Sequence, residues 1–441
     1  MERQLKLGSL FDGSGGFPLA GMLNGIRPVW ASEIEPFPML VTTKRIPQMK
    51  HLGDIRKING GEIEPVDIIT FGSPCQDMSV AGTHEGLAGQ RSGLFFEAVR
   101  VIREMREATD GHYPRYIVWE NVPGAFSSRR GEDFRAVLEE ICSLAGEEDH
   151  LPRPQAWPGA GCILGNGSSA AWRVLDACGW GVPQRRRRIY LVGDLGGCSA
   201  GKILFESEGV SGYSAAGFSA WQRTARSAQN GARETGSDRL TIFSGGFRME
   251  NSMRGGRTIG WQDETAPTLS AAGAAGQSGV VLYSVPDASV YESSKASHFT
   301  LANRDVADTL YASDWKEPPL INRGEYAVRR LTPTECARLQ GFPDWWTDDL
   351  ATENPTDQDI RRWKTVWDAW SDTYGKRKRS EEHIAKWLWQ PYTDAAAYKM
   401  WGNGVALPCA AFVLAGIVWN EDGRMRRENY YSGEGQRGQD T

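Results

Sequence analysis

Val66-Asp67-Ile68-Ile69-Thr70-Phe71-Gly72-Ser73-Pro74-Cys75-Gln76 carries a short, strand-like apolar run into a glycine-proline turn that delivers a cysteine. A nucleophile at the end of a buried strand is held by the scaffold yet open to a cleft. Alone, a Pro-Cys pair says little, because most cysteines of intracellular proteins are small buried hydrophobes. Two other segments give it company. Downstream, Ile117-Val118-Trp119-Glu120-Asn121-Val122 is a second strand ending in a carboxylate, and upstream Leu7-Gly8-Ser9-Leu10-Phe11-Asp12-Gly13-Ser14-Gly15-Gly16-Phe17 is a strand entering a glycine-rich turn.

Outward from these, residues 7–11, 29–33, 67–71, 116–120 and 189–193 read as strands, with helical patterns between them, clearest at 93–106 and 133–144. Such alternation predicts an α/β fold, a doubly wound and mostly parallel sheet with helices on both faces. From about residue 200 to 328 the texture changes to Gly, Ser, Ala and Thr. Glu264-Thr265-Ala266-Pro267-Thr268-Leu269 is loosely echoed by Val306-Ala307-Asp308-Thr309-Leu310, each leading to a short apolar strand. Trp363, Trp367 and Trp370 fall at i, i+4, i+7, one face of a helix, and such stripes are usually core. The neighbouring Lys376-Arg377-Lys378-Arg379 leaves a DNA-contacting role as the alternative.

The 441 residues are enough for two domains, and 40% hydrophobic content supports a proper core. No run approaches the roughly 20 apolar residues of a membrane span, and the N-terminus carries no signal-like apolar stretch. Seven cysteines without paired metal spacing predict reduced thiols, no metal, and a cytoplasmic protein. The net charge of −5 does not suggest a nucleic-acid binder, but its distribution does. Between residues 221 and 262 seven arginines face three acids, a local +4, and Arg185-Arg186-Arg187-Arg188 adds a second cluster.

In their order and spacing the three opening segments resemble the C5-cytosine DNA methyltransferases of bacterial and prophage type. The likeness continues through Gln184-Arg185-Arg186-Arg187-Arg188-Ile189-Tyr190, Arg330-Leu331-Thr332-Pro333-Thr334-Glu335-Cys336-Ala337-Arg338-Leu339-Gln340-Gly341-Phe342-Pro343 and Gly402-Asn403-Gly404-Val405. It implies a Rossmann-like S-adenosylmethionine-dependent catalytic domain (residues 1–199) and a smaller, irregular β-rich target-recognition domain with its supporting block (200–343). A Trp-rich insertion (344–397), a segment returning to the catalytic domain (398–420) and a polar tail (421–441) complete the expected layout. Double-stranded DNA is the implied substrate, the chain is expected to be a monomer, and a cognate restriction endonuclease is a candidate partner.

The resemblance assigns Cys75 as the nucleophile that adds to cytosine C6, which turns the ring into an enamine whose C5 can attack a methyl donor. Glu120 is then the ring activator at N3 and the 4-amino group. Arg186 and Arg188 would lie near both, with Arg185 and Arg187 pointing elsewhere, a split that fits side-chain alternation along an extended strand. For the donor, S-adenosyl-L-methionine, the turn supplies Asp12, Gly13, Gly15 and Gly16. Glu33 matches the carboxylate that holds ribose hydroxyls, and Asp54, followed by Ile55, matches the one that accepts from the adenine amino group. Phe11, Leu94 and Val405 match apolar donor contacts. Some relatives carry a stacking aromatic after that glutamate, where this chain has Ile34, and Phe37 is a candidate substitute. Asn403 is a further candidate contact, although it and the 330–343 block read first as support. A dinucleotide cofactor fits less well, since no correctly spaced G-x-G-x-x-G occurs. Pro74, Gln76 and Ser79 would close over a flipped base, with Gly82, Gly86 and Gly89 as hinges. Arg248, Arg254 and Arg257 are the candidates for reading base edges. The rivals are a tRNA methyltransferase of the same family and a catalytically silent DNA-binding regulator.

Overall fold

The structure is a computed structural model that describes residues 3–73, 93–147, 150–205 and 331–434, with side chains through 422, and the strand backbones 241–247, 266–267, 277–283, 291–292 and 298–299. Its centre is an eight-stranded sheet. The strands are β1 (Lys6–Leu10), β2 (Arg27–Ser32), β3 (Lys50–His51), β4 (Ile68–Phe71), β5 (Tyr116–Asn121), β6 (Ala160–Leu164), β7 (Ser169–Asp176) and β9 (Arg187–Asp194), with the short β8 (Gln184–Arg185) leading into β9. The spatial order is β3-β2-β1-β4-β5-β9-β7-β6. The first five strands are parallel, and β9 enters antiparallel to both β5 and β7. This mostly parallel sheet with helices is Rossmann-like, as the alternating pattern predicts.

Side chains of the central strands alternate between two apolar layers. Tyr116, Val118, Tyr190 and Val192 join one cluster, while Ile117, Trp119 and Leu191 join the other. Helices α3 (Leu94–Ala108) and α4 (Glu132–Ser143) cover the second face with Phe95, Val99, Ile102, Phe134 and Val137. The first face is covered by α1 (Gly16–Leu23), α2 (Pro36–Arg45), α5 (Ala200–Phe205) and the C-terminal helices α6 (Pro333–Leu339), α7 (Asp357–Tyr374), α8 (Glu381–Trp389), α9 (Asp394–Asn403) and α10 (Leu407–Glu434). Helix α10 packs on α1 and α5 and brings Phe412, Val413, Leu414 and Ile417 into the core, so the chain's end returns to its start. No single helix among the described residues is long and apolar enough to cross a membrane.

Two expectations meet the structure differently. The tryptophan stripe does form a helix, α7, opened by a capping box between Thr356 and Asp359. Trp363 and Trp367 are buried, edge-on to Trp387 at 5.3 and 5.4 Å, and Arg379 lies 3.4 Å over the Trp367 ring. The expected polar tail from 421, by contrast, is helical through Glu434. Glu421 is the reason at the boundary: it is buried, accepts from the Tyr116 hydroxyl at 2.6 Å and pairs with Arg115 at 3.2 Å. Once that turn is anchored, each added residue contributes a hydrogen bond without a new nucleation cost.

Candidate active site

Glu120 lies near the end of β5. Residues 116 and 118 face the layer that holds Tyr190 and Val192, so strand periodicity turns Glu120 and Arg188 to that same side. There the Arg188 Nε stands 3.1 Å from Glu120 Oε1, with both side chains about nine-tenths buried. Along 184–188 burial alternates: Gln184, Arg186 and Arg188 are buried, whereas Arg185 and Arg187 are exposed. Arg186 donates from its guanidinium to the Gly404 carbonyl and from its backbone to Asp176 at 2.9 Å. Burial, helped by repulsion from Arg188, pulls its pKa down to about 9, while Glu120, Tyr190 and Cys409 act the other way. The site thus holds one carboxylate paired with Arg188, with the Arg186 guanidinium close enough to feel its charge.

The chain leaving β4 is fastened to the flanks of Glu120. Trp119 Nε1 donates to Ser73 Oγ at 3.2 Å, and Asn121 Nδ2 donates to the Ser73 carbonyl at 3.2 Å. A Cβ on Gly72 would stand 3.2 Å from Glu120 Oε2, tighter than ordinary contact, so glycine there preserves the room around the carboxylate. Ser73 is two residues before Cys75. Cys75 itself, with Pro74, Gln76, Ser79 and the glycine hinges, lies outside the described residues, as do Arg248, Arg254 and Arg257.

A second cluster of candidate residues forms at the turn after β1. Phe11, Gly13 and Gly15 all have positive φ, and Gly15 starts α1. Glu33, just past β2, accepts from the backbone N–H of Gly13 (2.8 Å), Ile34 (2.7 Å) and Glu35 (2.9 Å). Asp54 accepts from Arg56 through its backbone and guanidinium, with Nη2–Oδ2 at 2.7 Å. Ile55 is buried, and Leu94 and Phe11 are half-buried beside it in the same apolar layer. A Cβ on Gly16 would stand 2.4 Å from Val405 Cγ2, so the missing side chain is what admits Val405. Asn403, at the end of α9, is exposed. Phe37 packs into the core against Tyr392, ring centroids 6.2 Å apart.

The charge of this cluster is the informative part. Asp12 is buried, accepts from Ser9 Oγ at 2.7 Å through one oxygen, and its other oxygen and the Ser14 hydroxyl have no hydrogen-bond partner among the described residues. Burial, with Glu33 adding to it against the Ser9 bond, pushes Asp12 from its ordinary 3.8 up to about 8. Burial also raises Glu33. A buried and a half-buried carboxylate, with the Gly13 N–H already taken, make a poor cradle for a pyrophosphate, which wants free N–H donors. They suit a ligand that brings positive charge. Because folded Asp12 holds a proton that an unfolded chain releases above about pH 4, ligand-free stability falls as pH rises from there to about 8. Asp12→Asn removes that penalty. Its melting temperature should gain on wild type as pH goes from 6 to 8, by about 1 kcal/mol per pH unit in stability, and a constant gap would show that Asp12 is ionised throughout.

Several participants were not legible as such. Trp346 Nε1 donates to the Ser14 carbonyl at 2.9 Å and its ring packs 5.6 Å from Phe342, so the first residues assigned to the insertion brace the glycine turn. The tryptophan pair Trp345-Trp346, one residue after Phe342-Pro343, was the available signal. Ser73, Asp176, Gly404 and Arg56 act through contacts to partners that no spacing rule marks.

A family model described as C-5 cytosine-specific DNA methylase matches residues 5–358. An Escherichia phage P1 protein named DNA N-6-adenine-methyltransferase is 30% identical over 93% of this chain and 61% of its own length. The type II methyltransferase M.BsuFI of Bacillus subtilis is 30% identical over 42% of this chain and 39% of its own. M.HhaI of Haemophilus parahaemolyticus is 30% identical over 43% and 48%. The chain therefore spans between about two-fifths and three-fifths of the length of these relatives.

Proposed function

The chain belongs to the C-5 cytosine-specific DNA methylase family, and on that premise we propose that it methylates C5 of a cytosine within a specific sequence of duplex DNA. Cys75 is the nucleophile, Glu120 the ring activator and S-adenosylmethionine the donor. The observation that supports this reading is the fastening of Ser73, two residues before Cys75 in the sequence, to Trp119 and Asn121, which holds the end of the β4 segment beside the Glu120–Arg188 pair.

The Cys75 thiolate forms a bond to C6 and shifts the ring π pair toward C5. Glu120, entering this step as the carboxylic acid, relieves the charge that builds at N3 by donating its proton or a hydrogen bond there, and recovers the proton when the adduct collapses. Arg186 and Arg188 favour the thiolate electrostatically and hold the Glu120 carboxyl in place. When bound, S-adenosylmethionine would supply an electrophilic methyl on a sulfonium, whose S–CH3 bonding pair stays with sulfur as the neutral thioether. After C5 has taken the methyl, its proton leaves to water, the C6–S bond breaks and Cys75 departs as thiolate. Asp12 and Glu33 fit the donor because it carries positive charge, and Asp54, Ile55, Leu94 and Val405 fit its adenosyl and apolar parts. Since a duplex buries C5 and C6 in the stack, the base turns out to be reached. Residues 200–328, with Arg248, Arg254 and Arg257, read the sequence, and the 330–343 block supports them.

The name of the phage P1 relative favours a second reading, transfer to the N6 amine of adenine. That chemistry needs no thiol addition, and more than a third of the phage P1 protein lies outside the match. Expression in a host without its own DNA methylases, followed by nucleoside mass spectrometry, separates the readings. We expect 5-methylcytosine in DNA, with bisulfite sequencing giving the word. N6-methyladenine without 5-methylcytosine overturns the proposal, and 5-methylcytosine confined to tRNA transfers it to the RNA rival.

A further inference from the structure

The C-terminal end of α7, in the Trp-rich segment, reaches the cluster after β1. Gly375 ends the helix with φ 60°, its N–H bonding to the Ser371 carbonyl, so Tyr374 is its last residue. The Tyr374 hydroxyl hydrogen-bonds Glu35, and burial together with that carboxylate holds the phenol well above its ordinary range, as a protonated donor. Glu35 is itself tied to the cluster, its N–H bonding Glu33 and its carboxylate pairing with Lys399 at 2.8 Å. One residue earlier, the Thr373 hydroxyl accepts from Arg56 Nη2 at 2.9 Å, and the same guanidinium grips Asp54. Residues 373 and 374 therefore touch the supports of both Glu33 and Asp54. The Tyr374 ring leans on Trp370, centroids 5.3 Å apart, and is 47% exposed, which leaves a face open. Nearby Ile34 is aliphatic, and Phe37 is committed to the core.

We propose that the Trp-rich segment completes the donor site, with Tyr374 supplying the aromatic contact to the adenosyl half and Thr373 bracing Arg56 against Asp54. This rests on the donor assigned above. A segment that reads as packing then does more than pack, because the register of its helix sets the affinity for the donor.

Calorimetry with S-adenosylhomocysteine and with 5′-methylthioadenosine, which keeps only the adenosyl half, tests this on the full chain. Tyr374→Ala should weaken both ligands by about the same factor, roughly tenfold, the order expected for one aromatic contact. Tyr374→Phe keeps the ring while losing the Glu35 bond, and should stay within about threefold of wild type; it also serves if the alanine variant folds poorly. Unchanged binding by Tyr374→Ala overturns the inference. So do equal losses in both variants, which would assign the effect to the Glu35 bond, or a loss seen with S-adenosylhomocysteine but not with 5′-methylthioadenosine. Wild-type protein that binds neither ligand would instead sink the donor assignment, and this inference with it.

Discussion

Cys75→Ser is expected to abolish methyl transfer while duplex DNA binding stays within about threefold of wild type. A serine hydroxyl is far less acidic than a thiol of ordinary pKa about 8.5 and a weaker nucleophile once ionised, so addition to C6 stops. The same chemistry gives a positive result in the wild type. DNA with 5-fluorocytosine at the target has no proton to lose from C5, so the enzyme should remain covalently attached, and peptide mapping should place the adduct at residue 75. The structure provides the controls for this map. Cys409 is buried close enough to Arg186 and Glu120 to feel both, yet burial raises its thiol well above the ordinary range. Cys178 is pushed up to about 11, again chiefly by burial. Proximity to an arginine is therefore not sufficient for reactivity here, because desolvation of the thiolate wins. An adduct on Cys409, Cys178 or any other cysteine would remove Cys75 from the mechanism.

Local patterns carried a good deal of this molecule. The five strands read from the sequence are all in the sheet, because a strand buried on both faces must be a nearly continuous apolar run bounded by turn residues. The split of Arg186 and Arg188 from Arg185 and Arg187 follows from the two-residue period alone. What stayed hidden depends on partners far along the chain. Nothing near Glu421 shows that Tyr116 and Arg115 will bury it, so a polar stretch read as a tail. The boundary at 343/344 fell between Phe342 and Trp346, which the fold packs together on the glycine turn. Tyr374 looks like the end of a packing stripe, and only the tertiary placement of α7 against Glu35 and Arg56 gives it another meaning. The roles of Cys75, its loop and the recognition arginines rest on chemistry and resemblance, since those residues lie outside the described ones.

Glu120→Gln should lower turnover by about a thousandfold, within the range for removing a positioned acid–base group, with donor affinity changed by less than about twofold. The sheet order supports this separation. Glu120 is on β5, whereas Glu33 follows β2, and β1 and β4 lie between. Three strand spacings put roughly 14 Å between the two carboxylates' strands, too far for an isosteric change at one to reach a ligand at the other. Glutamine keeps the size but can neither hand a proton to N3 nor balance Arg188 and Arg186. Breaking a buried pair while leaving a cation behind costs about 3–5 kcal/mol. The variant should therefore also melt lower, and kinetics must be taken at a temperature where it remains folded. Arg186, already lowered to about 9 by burial and by Arg188, would be lowered further once Glu120 no longer opposes them. Lost turnover with intact donor binding assigns Glu120 to the reacting base. Normal turnover at saturating donor, reached only through a large fall in donor affinity, would make Glu120 a donor ligand and would reverse the roles of the two clusters.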